Sequence, residues 1–187
     1  ELQKYMQYIF TGHIGVVLVF VLGALGYQYS EWLKVAPSSF PAEWLIAVVV
    51  GFILSMSRPV TLLREPDQVY LLPLESSMKA YFNKALTWTY FSQVVLPLLL
   101  FIVAIPLLKT VTELSIQEIW IGVAFVAILK IFNVVLEFNY RYANRGHAVW
   151  IDRAARIIMN ILVLEAYLHG GIGEAALYGL LIIAYYL

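Results

Sequence analysis

Two ionisable residues stand inside apolar runs, and their types suit proton or ion chemistry. Lys130 lies midway along the run Ile119 to Phe138, and Glu165 lies in the run Ala154 to Leu168. At the centre of a bilayer an isolated charge costs about 2.5–3.5 kcal/mol on insertion scales, so each needs a partner. A short polar stretch joins the two runs. Antiparallel helices would therefore bring Lys130 and Glu165 to a similar depth. An ammonium facing a carboxylate there can carry a proton or substrate path, or it can clamp two helices together. Asn133 and Asn160 lie near one turn from the pair and can join it by hydrogen bonds. Glu137 lies one further turn down and can snorkel towards a cluster of arginines.

Other reactive types do not converge. His13, His147 and His169 fall at separate depths, so they make no metal site, and the chain has no cysteine to add a thiolate. Neither a His-Glu-x-x-His nor a Gly-x-Ser-x-Gly pattern occurs. Ser55 and Ser57 have no base nearby and read as hydrogen bonders to their own backbone. The expectation is a chain with no catalytic motif and no cofactor or metal of its own. Formal net charge is zero, which gives no electrostatic case for nucleic acid.

The elements that position these residues follow from composition. Of 187 residues, 62% are hydrophobic and only 13% charged, against about 25% charged in soluble domains. The apolar residues run continuously and do not alternate, which argues for helices and against a barrel. The fold class expected is all-α, a polytopic transmembrane bundle. Six spans are read: Gly12 to Trp32, Glu43 to Ser57, Ala85 to Leu108, Ile119 to Phe138, Ala154 to Leu168, and one starting near Ile172. Pro97 and Pro106 fall inside the third and should bend it. All five tryptophans fall near span ends, where indoles favour the headgroup layer.

Basic residues then set the orientation. Arg58, Arg64, Lys79 and Lys84 follow span two, and Arg141, Arg145, Arg153 and Arg156 follow span four. The opposite side holds Lys34 and Lys109 alone. Eight against two puts the first set in the cytoplasm, together with the N-terminal end. The expected location is the cell membrane, multi-pass. Glu1 is not an initiator Met and Leu187 ends within an apolar run, so residues 1–187 read as one transmembrane domain of a longer chain.

Between spans two and three lies a polar island, Arg58 to Lys79. Pro66 suits the first turn of a helix, and Asp67 favours its positive end. Pro73 stops or kinks that helix after Leu72, and Glu75 fits the first turn of a second. The island carries an apolar ridge of Val69, Leu72 and Leu74 edged by Glu65, Asp67, Glu75 and Lys79. Such a ridge either lies on lipid or docks in a groove of a soluble subunit. Three acids against two basic residues, Arg64 and Lys79, suit an anionic leaflet poorly and favour docking.

The stretch Leu62-Leu63-Arg64-Glu65-Pro66-Asp67-Gln68-Val69-Tyr70-Leu71-Leu72-Pro73-Leu74-Glu75 resembles the signature of the EcsB family. These are permease subunits of bacterial ABC transporters, found chiefly in Gram-positive bacteria. The step Leu72-Pro73-Leu74 before Lys79 also resembles the coupling segment of ABC exporters. The resemblance implies that residues 1–187 are the N-terminal half of a permease. It further implies a separate cytoplasmic ABC ATPase subunit that holds ATP and Mg, and it leaves open a second permease copy. Arg64, Glu65, Pro66, Asp67, Leu72, Pro73, Leu74, Glu75 and Lys79 would form the docking segment. No Walker-type phosphate loop occurs in the chain, consistent with ATP chemistry on a partner. Two alternatives remain: an ion-coupled secondary transporter using Lys130 and Glu165, and a membrane scaffold without transport.

Overall fold

The computed structural model describes residues 2–37, 39–61, 78–112, 114–143 and 147–186. Six helices occur among them and no strand: α1 (Leu2–Lys34), α2 (Ala42–Ser55), α3 (Lys79–Val111), α4 (Ile116–Ala143), α5 (His147–Gly170) and α6 (Ile172–Tyr186). The chain divides into two compact units, Glu1–Phe40 and Pro41–Leu187.

The first unit is α1 and the turn that follows it. Its apolar side chains from Ile14 to Leu25 are exposed. Trp32 meets Phe40 edge-on at 5.2 Å, and Lys34 pairs with Glu31 at 2.6 Å.

In the second unit α2 packs against α3, α4 and α5, while α3 packs on α4 and α5 on α6. The core is built from Ile46, Val50, Leu54, Phe101, Leu108, Val126, Val134, Val163 and Leu164. Glycines allow the closest approaches. A Cβ on Gly51 of α2 would lie 2.9 Å from Ile161 Cγ1 and 3.0 Å from its backbone N. A Cβ on Gly122 of α4 would lie 2.9 Å from Phe101 and 3.0 Å from Tyr167. The α5–α6 corner turns at Gly171, whose φ of 77° suits only glycine without strain. Helix α4 starts with a reciprocal cap: Ser115 N donates to Glu118 Oε2 at 2.7 Å, and Glu118 N donates to Ser115 Oγ at 3.3 Å.

Among the described residues, three helical stretches are long and apolar enough to cross a membrane: His13–Lys34, Lys79–Val111 and Ile116–Tyr140. Helix α2 is apolar but has 14 residues, about 21 Å at 1.5 Å per residue against a hydrocarbon core of about 30 Å. Helix α5 carries Asp152, Arg153, Arg156 and Glu165, and these dilute its hydropathy. Large apolar side chains of α3 and α4, such as Phe91, Leu99, Ile121 and Phe132, are exposed, as lipid-facing residues would be. All five tryptophans are exposed as well. Pro97 and Pro106 both lie within an unbroken α3.

Candidate functional site

The polar residues of the second unit gather at one end of the bundle. That end holds the C-termini of α2 and α4 and the N-termini of α3 and α5. Helical spacing explains the gathering. Lys130, Asn133 and Glu137 recur every three or four residues on α4, and Asp152, Arg156 and Asn160 recur every four on α5. Each set forms one stripe, and both stripes are buried, as are Ser55 and Ser57.

The hydrogen bonds run in series from α2 to α5. Ser55 Oγ donates to Gly51 O at 2.9 Å and accepts from Asn160 Nδ2 at 2.8 Å. Asn160 and Asn133 exchange amide bonds at 2.9 and 3.0 Å, and the second N–H of Asn133 reaches Leu129 O at 2.9 Å. All four side-chain N–H groups of the two asparagines are thus engaged. Lys130 Nζ donates to Ser57 Oγ at 3.0 Å and to Leu54 O at 3.3 Å. Ser57 Oγ in turn donates to Leu54 O at 3.2 Å. The last carbonyls of a helix lack intrahelical donors and carry partial negative charge, so the Lys130 ammonium caps α2 from another helix.

The second half of the network is ionic. Arg156 donates to Glu137, to Asp152 through Nε at 2.9 Å, and to Asn133 O at 3.3 Å. Arg153 Nη2 donates to Glu137 Oε1 at 2.7 Å and stands 5.1 Å from the Trp150 ring. Among the described residues the one buried side-chain N or O atom without a hydrogen-bond partner is Arg153 Nε. A network so nearly satisfied holds helices in one arrangement.

Beyond Ser57 the chain is fixed to α3. Gln93 Nε2 donates to Arg58 O at 2.6 Å, and Gln93 Oε1 accepts from Arg58 N at 3.3 Å. Val60 N donates to Thr89 Oγ1 at 2.9 Å. In the first turn of α3, Phe82 packs on Phe138 of α4 at 5.5 Å.

The expected pairing of Lys130 with Glu165 is corrected. Lys130 meets Ser57 and Leu54, and no ion pair joins it to Glu165. Matched depth says nothing about rotation: Glu165 lies five residues past Asn160, about 140° round a helix of about 3.6 residues per turn. It is half-buried and lies off the polar stripe. Asn133 and Asn160 do meet, though each other and not a Lys–Glu pair. Arg153 and Arg156, read as loop charges, are held inside by Glu137. Ser55 and Ser57 bond their own backbone and also receive Asn160 and Lys130. The stripe 152–156–160 is legible as an i, i+4 pattern, whereas the sequence reading counts Arg156 only among the basic residues that follow span four. Of the docking residues, Arg64, Glu65, Pro66, Asp67, Leu72, Pro73, Leu74 and Glu75 lie outside the described residues. Lys79 is the exposed first residue of α3.

At the opposite end Tyr167 OH donates to Glu118 O at 2.5 Å, with its ring stacked on Phe125. His169 Nδ1 lies 3.2 Å from Glu43 Oε2. His169 follows the apolar part of α5, and the Glu43 carboxylate holds its pKa above the ordinary 6.5.

Residues 1–187 match the family model described as "Bacterial ABC transporter protein EcsB". The chain belongs to the EcsB family. It is 36% identical over 166 residues to Protein EcsB of Bacillus subtilis (strain 168), across 88% of this chain and 40% of that protein. This EcsB-family chain therefore spans about two fifths of the length of that relative. No solved structure matches it.

Proposed function

We propose that this chain is the membrane-spanning permease part of an ABC exporter, driven by a separate cytoplasmic ATPase subunit that binds ATP and Mg. EcsB-family membership supports an ABC transporter component. The docking segment is Arg64 to Glu75 with Lys79, and it faces the cytoplasm, as does the N-terminal end. All six helices cross or enter the bilayer in this reading. The chain itself performs no catalysis, and a second permease copy can complete the path.

The observation that carries the reading is how the chain just before this segment is fastened. Leu54 and Ser57 are held to α4 by Lys130, Ser55 to α5 by Asn160, and Arg58 and Val60 to α3 by Gln93 and Thr89. A chain held so firmly there suits the transfer of force from a docked subunit. The secondary-transporter alternative uses Lys130 and Glu165 for the path, and the bonds of Lys130 go to Ser57 and Leu54.

Purification of the full-length chain from its own membrane in mild detergent tests the proposal. A stoichiometric subunit with a phosphate-binding loop and ATPase activity supports it. A preparation that binds no nucleotide and hydrolyses no ATP overturns it.

A further inference from the structure

We propose that a groove on α3 binds one anionic phospholipid, with its phosphate on Lys84 and an acyl chain along Trp88, Phe91 and Val95. This goes beyond the permease reading and needs only that α3 crosses a bilayer, for which it is long and apolar enough. The groove has a volume of about 290 Å³ and is lined by Asn83, Lys84, Thr87, Trp88 and Phe91. Thr87 Oγ1 donates to Asn83 O at 2.9 Å. That leaves the Lys84 ammonium and the Asn83 amide as donors at the polar end of the groove. Lys84 is exposed, and among the described residues it has no ion pair. Helix α3 contains no Asp or Glu that could neutralise it.

The order of groups along the helix selects the occupant. Lys84, Trp88, Phe91 and Val95 recur every three or four residues, so they share one face, and all four are exposed. A cation comes first, an indole suited to the headgroup boundary second, and apolar side chains follow. At about 1.5 Å per residue the stripe is about 16 Å long, against about 15 Å for one leaflet of the hydrocarbon core. A single phospholipid laid along it meets each group with its matching part. Net charge decides between headgroups. A zwitterionic lipid brings its own ammonium to the phosphate and competes with Lys84, whereas an anionic lipid leaves the phosphate to the lysine.

The test uses the full-length chain in phosphatidylcholine vesicles doped with brominated phosphatidylglycerol or brominated phosphatidylcholine, which quench indole fluorescence on contact. Subtracting the signal of Trp88→Phe isolates Trp88. Half-maximal quenching of Trp88 should need about fivefold less brominated phosphatidylglycerol than brominated phosphatidylcholine, the effect of one lysine at an anionic headgroup. Lys84→Gln should bring the two lipids level, and Lys84→Arg should keep the preference. Lys109→Gln, an exposed lysine at the other end of α3, should also keep it. Equal quenching by the two lipids in the unsubstituted chain overturns the proposal. So does a preference that survives Lys84→Gln, or one that Lys109→Gln abolishes. Quenching of Trp88 by neither lipid would show the groove covered by protein, a second copy or another part of the chain, and overturns it too.

Discussion

Asn133 and Asn160 face each other across the α4–α5 contact and exchange two amide hydrogen bonds, at 3.0 and 2.9 Å. The pair joins the two polar stripes and reaches α2 through Ser55. Each amide is buried, so removing one leaves the other without its partner. Asn133→Ala and Asn160→Ala should each destabilise the bundle. A double-mutant cycle in detergent should return a coupling of about 0.6 kcal/mol, and no more than about 1.7. Additive losses, with no coupling, would show that the two amides do not interact.

Arg156 and Glu165 should respond in opposite ways. Arg156→Met strips a shared cation from Glu137 and Asp152, both fully buried. Breaking such a pair costs about 3–5 kcal/mol when the remaining charge stays buried. Glu165→Gln removes no partner of Lys130, so its effect should stay within about 0.5 kcal/mol. Thermal unfolding of the two variants side by side checks the contrast. A large loss for Glu165→Gln would restore the pairing with Lys130.

Helix positions were legible from apolar runs: the expected spans from Gly12, Glu43, Ala85, Ile119, Ala154 and Ile172 each fall on a helix. Six crossings were not, because α2 is short and α5 is rich in charge. At the site, residue depth was readable by counting but rotation was not. Counting brought Lys130 level with Glu165, whereas the stripe on α5 that faces inward is Asp152, Arg156 and Asn160. The role of Lys130 as a cap for α2 depends on a contact across 73 residues, which no local pattern records. The reciprocal cap at Ser115 and Glu118 is readable as a Ser-x-x-Glu motif.

The far end of the bundle should respond to pH through His169. Its pKa is raised chiefly by the hydrogen bond to Glu43, with Glu165 and Glu174 adding to the field. A raised folded pKa means the protonated imidazole favours the folded state. That contribution is complete below the unfolded value near 6.5 and is lost as pH rises through the folded value. Melting in detergent should therefore shift slightly downward across that window, and Glu43→Gln should flatten the response. An imidazole NMR titration with an unraised midpoint would contradict the contact.

Orientation can be read by labelling. Single cysteines at Ser77 and Asn144 should resist an impermeant thiol reagent in intact cells and react after lysis if the basic stretches face the cytoplasm as proposed. Reaction of either in sealed cells would reverse the orientation and put the docking segment on the wrong side for an ATPase.

The most direct measurement is retention of the ATPase subunit by docking variants. In the proposed docking, Leu72 and Leu74 are buried against the subunit, and burying one leucine is worth about 1.5–3 kcal/mol. Leu72→Asp and Leu74→Asp should insert normally yet lower the co-purified ATPase by about tenfold or more. Undiminished recovery of the subunit with both variants would contradict docking through this segment.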